Sequence, residues 1–347
     1  MSTELVDWEL AVRVGSRTAP KGPVLPLDHA RDYVAELRDY ARSAHQPVSE
    51  CTGLVTPPHA LDPVVVDRNA WIASNVESFR YILAPLLEKN AGDEGLGTQI
   101  GARVTGAELG AVLGWVSGKV LGQYEALVAP TSSPRLLLVA PNILKVADEL
   151  DLDLRDFSLW VCLHEETHRV QFTAVPWLSD YFAAEVKTIV AGTSPSAGEV
   201  LSRSRQLLGA VLRVVRGQDG ISGVLKVMQS PEQRKAFDRI TALMTLLEGH
   251  ADVVMDEVGP GVVPSVATIR QRFNQRRSSP SMKDALIRRA IGMDEKLQQY
   301  SRGAGFVRAV IDDVGMAGFN QVFAQPAYLP TLAEIDEPAT WIARVSQ

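Results

Sequence analysis

Apolar residues recur every three or four positions through most of this chain, the period of a helix buried along one face. The stripe is clear in HARDYVAELRDYARSAH (29–45) and in RNAWIASNVESFRYILAPLLEKN (68–90), and both end in turn-forming residues, so each predicts a helix. Between them, CTGLVTPPHALDP (51–63) is a proline-rich connector. Further on, Gly106, Gly110, Gly114, Gly118 and Gly122 repeat every four residues, which on a helix lays a nearly bare groove along one side. Such a groove lets another backbone approach closely, so a neighbouring core helix is expected there, the helix around residue 164 being one candidate. Glu108, Lys119 and Glu125 argue against a membrane span.

The period then changes. YEALVAP (124–130) and PRLLLVAP (134–141) are short apolar runs between prolines and small polar residues, and they predict a β-hairpin. If residues 135–140 form a sheet edge, an extended peptide could add to it as a further strand. Helical spacing returns in FSLWVCLHEETHRVQF (157–172), with Asp153 or Asp156 placed to cap its start, and in TALMTLLEGHADVVMDE (241–257). Gly-Pro-Gly at 259–261 is expected to break that second helix, and LIRRAIGMDEKLQQY (286–300) and AGFVRAVIDDVG (304–315) are helical again. The fold class that follows is mainly α with a small β-sheet. Its expected parts are an N-terminal helical region (1–100), a central core (101–258) and a C-terminal helical region (259–347), packed as one compact unit.

The chemistry concentrates at HEETH (164–168), an H-E-x-x-H pattern. Four residues apart on a helix, His164 and His168 share a face and can direct imidazole nitrogens at one metal ion, while Glu165 sits beside them as a general base for water. A catalytic zinc usually takes a third protein ligand. The extended motif would need glycine at 171 and histidine at 174, but the chain has Gln171 and Ala174, which excludes that class. On the 241–257 helix, Glu248 is the expected third ligand, because a carboxylate among so many apolar residues is costly to bury unless paired or metal-bound. Asp252, one turn on, is expected to accept the outer N–H of a ligating histidine. His250 points elsewhere around the helix, toward substrate or a core partner, and is the competing ligand.

HEETHRVQF, EGHADVVMD, GWVSGKVLGQYE (114–125) and KLQQYSRGAGFVRAV (296–310) resemble bacterial zincin-like metallopeptidases often labelled as associated with biosynthesis of a deazaflavin cofactor. The likeness runs from VDWELAVRVG (6–15) to the last helix. It implies a zincin-type core embedded in helices, with His164, His168 and Glu248 as metal ligands and Glu165 as the catalytic acid. It names no substrate, and nothing in these residues speaks of a deazaflavin.

Composition changes little. With 347 residues, 46% of them hydrophobic, the chain can bury a large core, and its net charge of −6 offers no general attraction to nucleic acid or anionic membrane. Arg270, Arg272, Arg276 and Arg277, followed by Arg288 and Arg289, suit a solvated helix face, with a grip on a substrate carboxylate or phosphate as the alternative. Two cysteines, Cys51 and Cys162, imply no disulfide framework, and Cys162 falls off the metal-binding face as a small buried residue. No basic stretch followed by an apolar run opens the chain, so the cytoplasm is the expected compartment.

GWVSGK departs from a phosphate loop in glycine spacing and has Val120 where Ser or Thr is required. A di-iron bundle would need a second Glu-x-x-His, and Glu165 to His168 is the only one. What remains is hydrolysis of a peptide or small amide by zinc-activated water, one zinc per chain, with an oxyanion donor left open among Tyr124, His250 and Tyr300. The alternative is a zinc-binding protein without peptidase activity, either a small-amide hydrolase or a scaffold.

Overall fold

A computed structural model describes residues 6–56, 62–88, 96–129, 132–191, 230–278 and 293–346. In chain order come α1 (Trp8–Thr18), α2 (Leu27–Thr52), β1 (Val64–Val66), α3 (Arg68–Glu88), α4 (Leu96–Ser117), β2 (Gly122–Tyr124) and β3 (Leu136–Val139). They are followed by α5 (Ala140–Glu149), α6 (Leu154–Ala174), α7 (Leu178–Ala191), α8 (Pro231–Val262), α9 (Val266–Ser278) and α10 (Met293–Phe319). Two short 3-10 turns lead to α11 (Leu332–Asp336) and α12 (Pro338–Val345). The protein is therefore mainly helical with one small sheet, as the periodicity predicts. Among the described residues no helix is long and apolar enough to cross a membrane.

α6 is the hub. Its start is capped by Asp153, whose carboxylate accepts from Asp156 N–H at 2.9 Å, and Asp156 in turn accepts from Ser265 N–H at 2.9 Å, tying the turn after α8 to this end. Phe157, Val161, Cys162, Leu163 and Val170 are buried against Leu37, Ala41 and Val48 of α2, Ile143 of α5 and Val254 and Met255 of α8. A second core joins α7, α8 and α10 through Leu178, Leu246, Leu247 and Val307, and a third joins α1, α3, α4 and β3. Residues from each of the three expected regions share the first core, which packs them against one another.

Several elements differ from expectation. α2 continues past His45 through Pro47 to Thr52, where Gly53 adopts φ 65° and its N–H donates to Ser49 O. α8 runs through Gly-Pro-Gly to Val262 instead of stopping there, because Pro260 lies in the last turn, where its missing N–H removes a single bond and Val263 N–H still donates to Gly259 O at 2.7 Å. β2 and β3 pair antiparallel, Gly122 opposite Leu138 and Tyr124 opposite Leu136, so the first strand ends where the expected one begins. Glu125 N–H still donates to Arg135 O at 2.9 Å, and the strand ends where Ala126 N–H turns back onto Tyr124 O at 3.1 Å; Ser74 and Arg135 bind the buried Glu125 carboxylate, with Arg135 Nε 2.6 Å from Oε2. β1, unforeseen, pairs parallel with β3, giving the order β1-β3-β2. β3 is thus central with both sides occupied, so residues 135–140 are not an edge. β2 is.

The glycine ladder seats α1 and not α6. A Cβ at Gly106 or Gly110 would overlap the carbonyls of Asp7 or Ala11, and one at Gly114 would overlap Thr18 and Gly15. Only the last rung, Gly122 on β2, meets α6, and there it meets Glu165.

α8 and α10 cross equally closely, since a Cβ at Gly303 would overlap Thr245 O. Helix propensity alone makes Gly→Ala worth about 1 kcal/mol of stabilisation. Here backbone is the obstacle and no rotamer relieves it, so Gly303→Ala should instead destabilise by about 3 kcal/mol, the upper range of overpacking costs. Denaturant unfolding of the two proteins measures the sign.

Candidate metal centre

The site forms where α6 and α8 cross. His164 and His168 lie one turn apart on α6, and their rings stand nearly perpendicular at 88° with Nε2 atoms 3.2 Å apart. From α8, Glu248 Oε2 lies 3.5 Å from His164 Nε2 and 3.6 Å from His168 Nε2. Those gaps are too long for hydrogen bonds, and Oε2 is buried with no hydrogen-bond partner. Ligand atoms around a tetrahedral zinc, at bonds of about 2.0–2.2 Å, stand about 3.4 Å apart. The triangle of two nitrogens and an orphaned carboxylate oxygen has that size, so the donor set and its spacing fit one zinc ion. Among the described residues this is the one group of three or more His, Cys, Asp or Glu side chains close enough to hold a metal.

Glu165 is buried beside the two histidines. Burial pushes its carboxyl above the ordinary range, partly opposed by His164 and His168 and reinforced by Glu248. Gly122 leaves the space this carboxyl occupies, since a Cβ there would come within 2.5 Å of Glu165 Cγ and 2.9 Å of Oε1.

The groups that orient the histidines are not the expected ones. His168 Nδ1 is 3.0 Å from Gln171 Oε1, while Gln171 Nε2 donates to Leu247 O and to His250 Nδ1, both at 3.0 Å. Bonding to a carbonyl obliges that nitrogen to be the donor, so Gln171 Oε1 must accept from His168 Nδ1–H, which turns His168 Nε2 toward Glu248 and His164. His164 Nδ1 faces Met255 Sδ at 3.2 Å, a weak acceptor. Asp252 does not take the place expected for it. Its carboxylate faces Arg270 at 3.8 Å on the α9 side, and its carbonyl accepts from Arg270 Nη2 at 3.0 Å. Gln171 was missed, although a polar residue three positions after His168, on a helix face otherwise apolar, was a signal available in the sequence.

His250 is a core residue and no ligand. It is fully buried against Phe319 and Phe323, and burial, followed by the charge on His168, lowers its pKa to about 3, so it stays neutral. Arg270 and Arg272 are held by Asp256 and by the carbonyls of Leu150 and Asp151, a structural role. The side chains of Arg276, Arg277, Arg288, Arg289 and Tyr300 lie outside the described part of the structure.

For His168, burial alone would lower the pKa, but the Glu248 carboxylate outweighs it and the value rises to about 9. The metal-free pair therefore stabilises the fold fully below the unfolded value of 6.5, and that contribution fades as pH rises through about 9. A metal must displace this proton. Calorimetric zinc titrations at pH 7 in buffers of different ionisation enthalpy should report release of about one proton, with affinity rising about tenfold per pH unit up to about 9. Release of none would mean His168 is neutral beforehand.

A solved structure from Chloroflexus aurantiacus, described in provisional terms as a hydrolase with a novel fold, is similar with TM-score 0.70 and 29% identity over 99% of each chain. Curated proteins supply no match. The profile of the zincin-like metallopeptidases, a family whose chemistry implies a bound metal, matches residues 6–342. A match over nearly the full length, carried through both helices that build the triangle, establishes that the chain belongs to the zincin-like metallopeptidase family.

Proposed function

We propose that the protein is a zinc-dependent hydrolase of peptide or amide bonds, with His164, His168 and Glu248 holding the metal and Glu165 as general base. The observation that carries this reading is the triangle of His164 Nε2, His168 Nε2 and the unpartnered Glu248 Oε2, with edges of 3.2, 3.5 and 3.6 Å. Zinc held there would polarise a substrate carbonyl and lower the pKa of a bound water to about 7.

The rest is work for the chain's own side chains. Glu165 takes the proton from the attacking water and returns it to the leaving amine, a task suited to a carboxyl whose pKa burial has raised. Gln171 keeps the His168 Nε2 lone pair aimed inward. β2 supplies a docking edge. Because Leu121 O and Glu125 N–H bond inward to β3, the alternating Gly122 and Tyr124 turn their backbone groups outward, beside Glu165; the Tyr124 carbonyl already accepts from Ala126 N–H at 3.1 Å, so pairing falls to both Gly122 groups and Tyr124 N–H. An extended substrate backbone pairing there would lie next to the general base.

A digest of a mixed peptide library by the zinc-loaded wild type and by Glu165→Gln, side by side, tests the proposal. Cleavage by the wild type alone supports it. Cleavage of small amides but no peptide would narrow the substrate, and no hydrolysis of either class would leave a zinc-binding protein without this activity.

A further inference from the structure

Beyond the metal triangle, the α6 face continues into an aromatic wall. Phe172 lies one turn past His168 on the same face. Tyr124 of β2 stacks on Phe172 with centroids 5.6 Å apart and planes at 24°, and Phe182 of α7 tilts against Phe172 at 6.4 Å. Each of the three rings is only partly buried, whereas the residues beneath them, Val175, Leu178 and Leu246, are sealed in the core. A second element fixes the wall's place relative to the chemistry. Gly122 and Tyr124 project from the same face of β2, and the first of them touches Glu165, so the wall begins about 7 Å along the strand from the general base.

We infer that Tyr124, Phe172 and Phe182 select substrates carrying an aromatic or large apolar side chain within two residues of the bond cleaved. The inference rests on the hydrolase reading above and adds the substrate class. Side chains at the same level of paired strands share a face, so in a substrate strand laid along β2 the residue opposite Tyr124 turns its side chain toward Phe172. The residue opposite Gly122, two positions away, lies at Glu165.

The test is binding of two hydroxamic acids to the zinc-loaded protein by calorimetry, with acetohydroxamic acid as the minimal metal-directed probe and 3-phenylpropionohydroxamic acid as its aromatic extension. The aromatic probe should bind about tenfold or more tighter. Phe172→Ala and Tyr124→Ala should each bring that ratio toward one while zinc content and acetohydroxamate affinity hold. Phe172→Leu, a smaller change in volume, should fall between, and it serves if the alanine variant does not fold. Peptides cut by the wild type should carry a large apolar residue within two positions of the cut. Equal affinities for the two probes, or a ratio unmoved by both substitutions, would overturn the inference and leave the metal centre standing. Failure of the protein to take up zinc would instead overturn the hydrolase reading on which it rests.

Discussion

Glu165→Gln should keep the full zinc complement and lose turnover by about 10²–10⁴-fold, the range over which a positioned general base acts. The substitution preserves volume and shape in a space bounded by Gly122, so it should not disturb the fold. An amide cannot take a proton from water at neutral pH. The burial that raises the Glu165 carboxyl makes it a better proton acceptor than an exposed glutamate, and that advantage disappears entirely in glutamine. Zinc analysis alongside steady-state kinetics separates the outcomes. Retained turnover with zinc present would exclude Glu165 as the base, and loss of zinc together with turnover would mean that Glu165 supports the ligands.

Glu248→Ala should cut bound zinc from about one per chain to a trace, because two imidazoles alone make an incomplete site. The affinity loss should exceed the about 10–100-fold that follows removal of groups supporting the ligands. The same change removes the charge that holds the His168 imidazolium, so the proton otherwise released on zinc binding should vanish as well. Elemental analysis after dialysis gives the first readout and calorimetry the second. Gln171→Leu is the useful comparison, since it removes the acceptor at His168 Nδ1 while leaving all three donors, and should weaken zinc without abolishing it. Near-normal zinc in Glu248→Ala would place the third ligand elsewhere.

Much of the site was readable along the chain because helix spacing is a local rule. An i, i+4 pair on an apolar stripe must share a face, so His164 and His168 could be paired from their positions alone. Glu248 followed from the cost of burying a carboxylate on the apolar 241–257 stretch, and the structure brings it to those two histidines. Asp252 failed for a different reason. One turn from Glu248 along the helix says only that the two carboxylates share a side, and the rotation that brings Glu248 to the histidines leaves Asp252 against α9 and Arg270. His250 shows the same limit, since spacing turned it away from Glu248 without showing that Phe319 and Phe323 would enclose it.

The sheet was less accessible still. Short apolar runs at 124–130 and 134–141 announced two antiparallel strands, but a strand of three or four residues carries too little pattern to locate its ends. Whether it lies at an edge depends on a partner, and β1 lies just past the 51–63 connector, some seventy residues earlier. The ladder of glycines foretold close approach by another backbone, yet any helix fits a bare groove, and the choice of α1 is made by packing across the molecule.

Sequence by itself determined that this protein is mostly helical, that it carries a paired-histidine motif with an adjacent acid, and which glutamate could complete it, because period and burial cost act within a single segment. Only the tertiary structure decided that Gln171 orients His168, that β2 lies at an edge of the sheet, and that Tyr124 meets Phe172, because each depends on how separate elements rotate against one another.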